Sequence, residues 1–252
     1  MGFELEICCN SINSAIAANK GGADRIELCD NMSEGGTTPS HGLIQACKNL
    51  LTIPVFVMIR PRGGDFLYND EEFEVMKLDV MHAKKSDCDG IVIGILKSNG
   101  SIDMDRCRQL IELARPMKIT FHRAFDRCEN PLMALEDIIS LGCQRVLTSG
   151  AEVSAANAIA TLGSLIKQAA NRVMIMAGSG INETNLAFIA QNTGIRSFHS
   201  TGKTTTQSNM IYFGAGKLAE LDGHFPVLET SSEKVRRMKF ILAELLKDEN
   251  HK

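Results

Sequence analysis

The stretch Lys118–Asp126, with the sequence KITFHRAFD, decides how the rest of the chain is interpreted. It opens with β-branched and aromatic residues, which predicts a short strand. Alternation along that strand sends Ile119 and Phe121 to one face, and Thr120 and His122 to the other. One face of the strand is therefore apolar and the other polar.

Ionisable side chains gather where this strand ends. His122, Arg123 and Asp126 come within five positions, and Asn130-Pro131 then starts a helical pattern, because proline favours the first turn of a helix. In parallel α/β folds this end of a strand is where ligands bind. The alternative for a histidine considered alone, a half-exposed loop residue, stays open.

The same strand-then-helix pattern recurs along the whole chain. Strand patterns begin near positions 3, 25, 55, 90, 118, 145, 173 and 196, and a helical pattern follows each one. Eight such units predict an α/β fold, a (β/α)8 TIM-type barrel that forms a single domain over residues 1–252. A doubly wound open sheet is the alternative, but its glycine fingerprint is missing after the first strand.

Composition excludes several functional classes. The 252 residues are 44% hydrophobic with a formal net charge of -3 and no Lys/Arg cluster, so we expect no nucleic acid or anionic membrane as partner. The longest apolar runs have the length of strands, and the N-terminus lacks the features of a signal peptide. Eight cysteines without a Cys-x-x-Cys pair predict reduced thiols in a cytoplasmic protein.

Charged residues are expected inside the barrel. The strand face towards the helices must be apolar, so Glu6, Glu27 and His122 point inward, with Arg60 among them. Buried charges require partners. One interpretation is an ion-pair plug of Glu6 and Glu27 with Arg60. The other is a polar pocket in which Glu6, Glu27 or His122 acts as a catalytic acid or base.

Several strand ends carry groups that suit an anionic ligand. Arg60-Pro-Arg62 precedes two glycines, and arginine forks match carboxylate and phosphate groups. The glycine-rich turns after the sixth and seventh strands, ahead of helices, are typical of phosphate sites, although ordinary tight turns account for them as well. The candidate ligand-binding residues are Arg60, Arg62, Arg123, Asp126, Thr148, Ser149, Gly178 and His199.

Two cysteines form a candidate metal site. Cys8 and Cys29 each lie two residues beyond an inward glutamate on neighbouring strands, so their thiols can approach each other. Thiolate and thioether ligands select Cu(I). Buried free cysteines more often act as small hydrophobic residues, and that alternative stays open.

The sequence resembles the copper homeostasis protein CutC family. The resemblance implies a cytoplasmic (β/α)8 barrel that assembles as a homo-oligomer and binds Cu(I), without implying a particular reaction. It is weakest over Thr201–Glu229. The motifs that carry it are Leu5–Cys9, Gly22–Cys29, Glu34–Ser40, Ile59–Phe66, Thr120–Asp126, Arg145–Gly150 and Ile175–Gly178.

Two functional classes therefore stay open. The first is a copper homeostasis protein whose partner is a copper ion held by Cys8 and Cys29. The second is a barrel enzyme acting by acid–base chemistry on a small anionic or phosphorylated metabolite.

Overall fold

Eight parallel strands dominate the computed structural model, which describes residues 2–212 and 226–250. In chain order they are β1 Glu4–Cys9, β2 Arg25–Leu28, β3 Val55–Met58, β4 Gly90–Ile93, β5 Lys118–Phe121, β6 Arg145–Thr148, β7 Met174–Ala177 and β8 Ser197–Ser200. Each pairs with the next, and β8 pairs with β1, which closes the barrel. The predicted (β/α)8 architecture is confirmed.

Helices connect the strands. They are α1 Ile12–Gly21, α2 His41–Leu50, α3 Asp70–Lys85, α4 Met104–Ala114, α5 Pro131–Ser140, α6 Ile159–Ala169, α7 Leu186–Thr193 and α8 Ser232–Asn250. Local sequence sets several of their starts. Asn69 and Glu72 form a capping box at α3, and Asn130 caps α5 ahead of Pro131.

Helix α7 starts later than the sequence predicts. Asn182 precedes the helical pattern, and its residue type predicts a helix N-cap there. Its Oδ1 instead accepts hydrogen bonds from the backbone N–H and the hydroxyl of Thr184 at 2.9 and 2.6 Å. Asparagine readily closes such a local turn. The helix therefore begins at Leu186, after Asn185.

An antiparallel pair of strands follows the barrel. Strand β9, Lys203–Thr206, pairs with β10, Val227–Thr230, in a stretch whose polar sequence predicts a loop. The run of three threonines in β9 favours a strand. Thr230 connects the pair to helix α1, since its N–H donates to Ser14 Oγ at 3.1 Å. Residues 213–225 of the predicted loop lie outside the described residues.

The predicted alternation of the strands is present. Outward side chains form the core between the barrel and the helices, and inward side chains include Glu6, Glu27 and Thr120, all buried. Burying each large aliphatic side chain contributes about 1.5–3 kcal/mol, so a one-residue slip of a strand is strongly disfavoured. The outward residues include Leu5, Ile7, Ile26, Leu28, Ile119 and Phe121.

Candidate functional site at the carboxyl end of the barrel

A buried ion-pair network lies inside the barrel. Arg25 Nε donates to Glu6 Oε2 at 2.5 Å, and Arg25 Nη1 donates to Glu4 Oε2 at 2.7 Å. The guanidinium also lies over the ring of Phe56, 5.6 Å from its centroid. Burial lowers the pKa of Arg25, but Glu6 and then Glu4 raise it overall. Arg25 is therefore the cation that balances Glu6.

Arg60 does not take part in that network, although the sequence suggested it as the cation of a plug. Its Nη1 donates to the carbonyl oxygens of Glu34 and Gly36, both at 2.7 Å, and its Nη2 donates to that of Gly64 at 2.8 Å. The guanidinium lies 5.0 Å from the ring centroid of Phe66. Arg60 therefore ties the loop after β2 to the loop after β3.

His199, near the end of β8, lies between two carboxylates. Its Nδ1 is 2.7 Å from Glu6 Oε1, and its Nε2 is 3.7 Å from Glu27 Oε2. Burial lowers the pKa of His199, but Glu27 and then Glu6 raise it overall. The imidazole is therefore held in contact with one buried glutamate on each side.

The two glutamates differ in their affinity for a proton. Burial alone would raise the pKa of Glu6, but Arg25 and then His199 bring it below its ordinary value. Burial raises the pKa of Glu27, and His199 only partly opposes this shift. Neighbouring carboxyl groups with opposite pKa shifts are typical of sites that hold and move protons.

His122 has different partners from those of His199. No ion pair links it to Glu6 or Glu27 within residues 2–212 and 226–250. Its Nδ1 accepts a hydrogen bond from the N–H of Ala124 at 3.1 Å. Burial and then the positive charge of Arg60 lower the pKa of His122 to about 3, so the ring is neutral at physiological pH.

Cys8 and Cys29 are brought together, as their sequence positions suggest. Their Sγ atoms are 3.5 Å apart, and the two residues are 8% and 0% exposed. Met58 and Met32 pack against them. The hydrogen bond with Cys29, burial and Glu27 raise the pKa of the Cys8 thiol well above its ordinary value.

Cys8 also belongs to a second group of potential ligands. One ligand atom each from Cys8, Glu27 and His199 lies within 4.8 Å of the others. This group combines a sulfur, an oxygen and a nitrogen donor. The barrel mouth therefore brings together a soft, a hard and a borderline donor.

Asp126 organises the loops after β5 and β6. Its carboxylate accepts hydrogen bonds from Thr148 Oγ1 at 2.5 Å, from the N–H of Ser149 at 3.1 Å and from Ser149 Oγ at 3.0 Å. Arg123 Nε donates to the same carboxylate at 2.8 Å, and Arg123 Nη2 donates to Ser149 Oγ at 3.1 Å. These contacts hold the half-exposed guanidinium of Arg123 at the mouth.

Two further predicted residues have local structural partners. Arg62 pairs with Glu72 at 2.5 Å and with Asp65 at 3.0 Å at the start of α3. Gly178 donates its N–H to the carbonyl of Thr148 at 2.9 Å, and a Cβ there would overlap the side chain of Leu147. Neither residue lines the cavity described next.

A cavity of about 520 Å³ opens at the carboxyl end of the strands. This volume suits a small metabolite. The loops after β7 and β8 form much of its wall. The wall contains the predicted residues Cys8, Glu27, His122, Arg123 and His199, together with Lys203 and Lys234.

Four positively charged residues in the described part of this region were missed by the sequence interpretation. Arg25 lies two positions before Glu27, so the same alternation places it inside the barrel. Arg145, which lies 3.5 Å from Glu4, begins β6 and could have been found in the same way. Lys203 and Lys234 carried no comparable signal, because they reach the cavity from β9 and α8.

The sequence of this chain matches a known protein family. A family model described as the CutC family matches residues 3–204, which include all eight barrel strands. The chain belongs to the CutC family. The resemblance seen in the sequence motifs is thereby confirmed. Strand β10 and helix α8 lie beyond the matched residues.

Curated CutC relatives match most of the chain. The copper homeostasis protein cutC homolog of Homo sapiens is 50% identical over 211 residues, covering 84% of this chain and 77% of the human protein. A family protein CutC of Vibrio cholerae serotype O1 (strain M66-2) is 43% identical over 249 residues, covering 97% of this chain and 98% of its own.

Solved structures agree with this relationship. A crystal structure of CutC from Streptococcus agalactiae matches with a TM-score of 0.76 and 35% identity, covering 79% of this chain and 98% of that one. A thiamine phosphate pyrophosphorylase from Pyrococcus furiosus matches with a TM-score of 0.58 at 15% identity, covering 97% of both chains. The second likeness concerns the barrel fold alone.

Within the described ranges, no helix combines the length and the apolar character that crossing a bilayer requires.

Proposed function

We propose that this CutC-family protein takes part in copper homeostasis by binding Cu(I) through the sulfur atoms of Cys8 and Cys29. The observation that carries the proposal is the 3.5 Å separation of the two Sγ atoms at the barrel mouth. A metal ion bound by thiolates lies about 2.3 Å from each sulfur atom. Two sulfur atoms at this separation can therefore share one ion after a small adjustment.

The surroundings of the two thiols favour a soft ion. The thioethers of Met58 and Met32 pack against the pair. Thiolates and thioethers select Cu(I), whereas carboxylates and water suit magnesium or calcium. The names of the human and mouse relatives, which refer to copper homeostasis, support the same assignment.

Access to the pair comes from the cavity. Cys8 and Met32 line its wall, whereas Cys29 does not line it and is fully buried. Because the pKa of the Cys8 thiol is raised, that thiol is protonated before the metal arrives. When Cu(I) binds to Cys8 as a thiolate, the thiol therefore releases its proton.

The cysteine inventory supports a reducing compartment. All eight cysteines are free thiols. Proteins of the cytoplasm keep their thiols reduced, whereas secreted proteins of this size commonly form disulfides. We therefore place this copper site in the cytoplasm.

A competition titration tests the copper site. Reduced, metal-free protein is titrated with Cu(I) against bicinchoninic acid under anaerobic conditions. Cys8→Ser and Cys29→Ser should each lower the affinity for Cu(I) by more than about 100-fold. This loss exceeds the loss of roughly 10- to 100-fold that is usual when a residue next to a metal ligand is replaced. Cys128→Ser is the matched control, because Cys128 hydrogen-bonds to the carbonyl of Ala124 and lies outside the pair. Equal affinity in all four proteins would exclude this site.

A second candidate function is the acid–base enzyme suggested by the sequence. The observation that favours it is the placement of His199 between Glu6 and Glu27 beside the cavity. Incubation with small phosphorylated ketones in D2O, followed by proton NMR, tests this candidate. Protein-dependent exchange that disappears in His199→Gln supports it, and absence of exchange above the buffer rate excludes it for this class of substrate.

A further inference from the structure

We propose that the cavity at the barrel mouth binds a small hydroxylated organic anion, one of whose oxygen atoms accepts a hydrogen bond from His122 Nε2. The negative charge of this ligand is balanced by Arg123, Lys203 and Lys234 on the cavity wall. The proposal goes beyond copper binding and uses neither of the two sulfur atoms.

The hydrogen bonding of His122 identifies its Nε2 as a donor. Nδ1 accepts a hydrogen bond from the N–H of Ala124, so it carries a lone pair. The single hydrogen of a neutral imidazole must then be on Nε2. This atom is buried and has no hydrogen-bond partner in the described part of the chain, and His122 lines the cavity. Buried polar groups in folded proteins almost always have partners, so a ligand oxygen is the expected one.

The surroundings of His122 fix its ring and its charge. A Cβ at Gly94 would overlap the imidazole, so glycine at this position makes room for the ring. The ring of Phe66 packs on it with the centroids 5.0 Å apart. Burial, together with the positive charge of Arg60, lowers the pKa of His122 and keeps the imidazole neutral. A neutral donor held in one orientation recognises an oxygen acceptor without titrating near physiological pH.

A second unpartnered atom defines the other end of the ligand. Glu27 Oε1 is buried and lacks a hydrogen-bond partner among the residues described, and Glu27 lines the same cavity. A carboxylate oxygen accepts a hydrogen bond, so its expected partner is a hydroxyl group. A ligand that satisfies both atoms therefore carries an acceptor oxygen and a hydroxyl group.

The charges on the wall select an anion. Arg123, Lys203 and Lys234 contribute three positive charges to the wall, against the two carboxyl groups of Glu27 and Glu183. Arginine and lysine at the mouth suit a carboxylate or a phosphate monoester. The loops after β7 and β8 form the adjoining wall, and in barrels of this type those loops often hold phosphate. The cavity volume of about 520 Å³ leaves room for the carbon skeleton.

Calorimetry with defined probes tests the proposal. Reduced, metal-free protein is titrated with glycerol 3-phosphate, and with glycerol as the neutral probe. We expect glycerol 3-phosphate to bind and glycerol not to bind. His122→Phe and Lys203→Ala should each weaken binding by about 10- to 100-fold, the usual effect of losing a hydrogen bond or contact to a charged group. Lys167→Ala, which changes an exposed lysine on α6, should bind as the wild type does.

Two further variants distinguish the hydrogen bond of His122 from a change in cavity shape, and the anion site from the copper site. His122→Gln keeps an N–H donor near the position of Nε2 and should retain more affinity than His122→Phe. Cys29→Ser should lose Cu(I) affinity but keep glycerol 3-phosphate affinity, because Cys29 does not line the cavity. Failure of the copper site and failure of the anion site are therefore distinguishable.

Nitrogen NMR of 15N-histidine-labelled protein gives a readout that does not depend on these variants. The His122 signals should report a neutral ring with its hydrogen on Nε2 from about pH 5 to pH 8. Glycerol 3-phosphate should shift the Nε2 signal. The proposal is overturned if glycerol 3-phosphate does not bind at about 10 mM, if it binds His122→Phe as tightly as the wild type, or if the Nε2 signal does not move.

Discussion

Arg25 Nε donates a hydrogen bond to Glu6 Oε2 at 2.5 Å, and the two side chains are 4% and 0% exposed. This contact joins β2 to β1 inside the barrel. Removing one member of a buried ion pair leaves the other charge unbalanced in a medium that solvates it poorly. We therefore expect a large loss of stability when one member of the pair is replaced alone, and a smaller loss when both are replaced.

Arg25→Met should lower the free energy of unfolding by about 3–5 kcal/mol, because it leaves Glu6 without its cation. Urea unfolding at neutral pH measures this loss. Adding Glu6→Gln to the same protein should recover part of the stability.

Arg172→Met is the matched control for that measurement. Arg172 pairs with Glu136 at 2.7 Å, but both side chains are about half exposed. Loss of this exposed pair should lower the free energy of unfolding by less than about 1 kcal/mol. Equal costs for Arg25→Met and Arg172→Met would contradict the role assigned to Arg25.

Arg60 and Arg62 should respond differently to alanine. Arg60→Ala removes charged hydrogen bonds to three backbone carbonyls, each of which contributes about 1.5–3 kcal/mol, so we expect a loss of more than about 3 kcal/mol. Arg62→Ala removes partly exposed pairs and should cost less than about 1 kcal/mol. Urea unfolding of both variants provides the measurement. Similar costs would show that Arg60 does not hold the two loops.

The length of each strand explains which inward residues the sequence could predict. Alternation holds only while the backbone is extended. Glu6, Glu27 and His199 lie within β1, β2 and β8, and all three meet inside the barrel.

Arg60 and His122 lie just beyond strand ends, where the same rule no longer applies. Strand β3 ends at Met58, and β5 ends at Phe121. Arg60 is therefore free to turn to loop carbonyls, and His122 accepts a hydrogen bond from the turn that follows it. Composition and pattern alone do not specify such turns, because the turns depend on contacts with loops that are distant in sequence.

Met58→Leu tests whether the thioether beside the two thiols contributes to copper binding. Met58 packs against Cys8 and Cys29 in the same buried cluster. Leucine keeps a similar volume, so stability should fall by less than about 1.5 kcal/mol. Affinity for Cu(I) should fall by about tenfold, at the lower end of effects for groups around a metal site.

Met76→Leu is the control for this measurement, because Met76 is buried in the core between the helices and the barrel. The competition titration with bicinchoninic acid compares the three proteins. A Cu(I) affinity in Met58→Leu that equals that of the wild type would exclude the thioether as a contributor.

The neutral state of His122 predicts a pH-dependent stability. The unfolded chain binds a proton at this histidine below its ordinary pKa of 6.5, whereas the folded protein does so only near a pKa of about 3. Between these values the unfolded state carries more protons, so the contribution of His122 to stability falls as the pH falls. The contribution is complete above pH 6.5, and the slope below it approaches about 1.4 kcal/mol per pH unit.

Comparison with His122→Gln isolates this effect, because glutamine has no titrating group and all other ionisable residues are common to both proteins. The free energy of unfolding is measured in urea at intervals between about pH 7.5 and pH 5. The difference between wild type and variant should stay constant above pH 6.5, and below it the wild type should lose stability relative to the variant. His199 has the opposite shift in pKa, so its contribution is lost as the pH rises, and it cancels in the difference. A difference that stays constant down to pH 5 would mean that the folded protein binds a proton at His122 as readily as the unfolded chain does. The ring would then be charged at pH 5, and its Nε2 would not belong to a neutral imidazole at that pH.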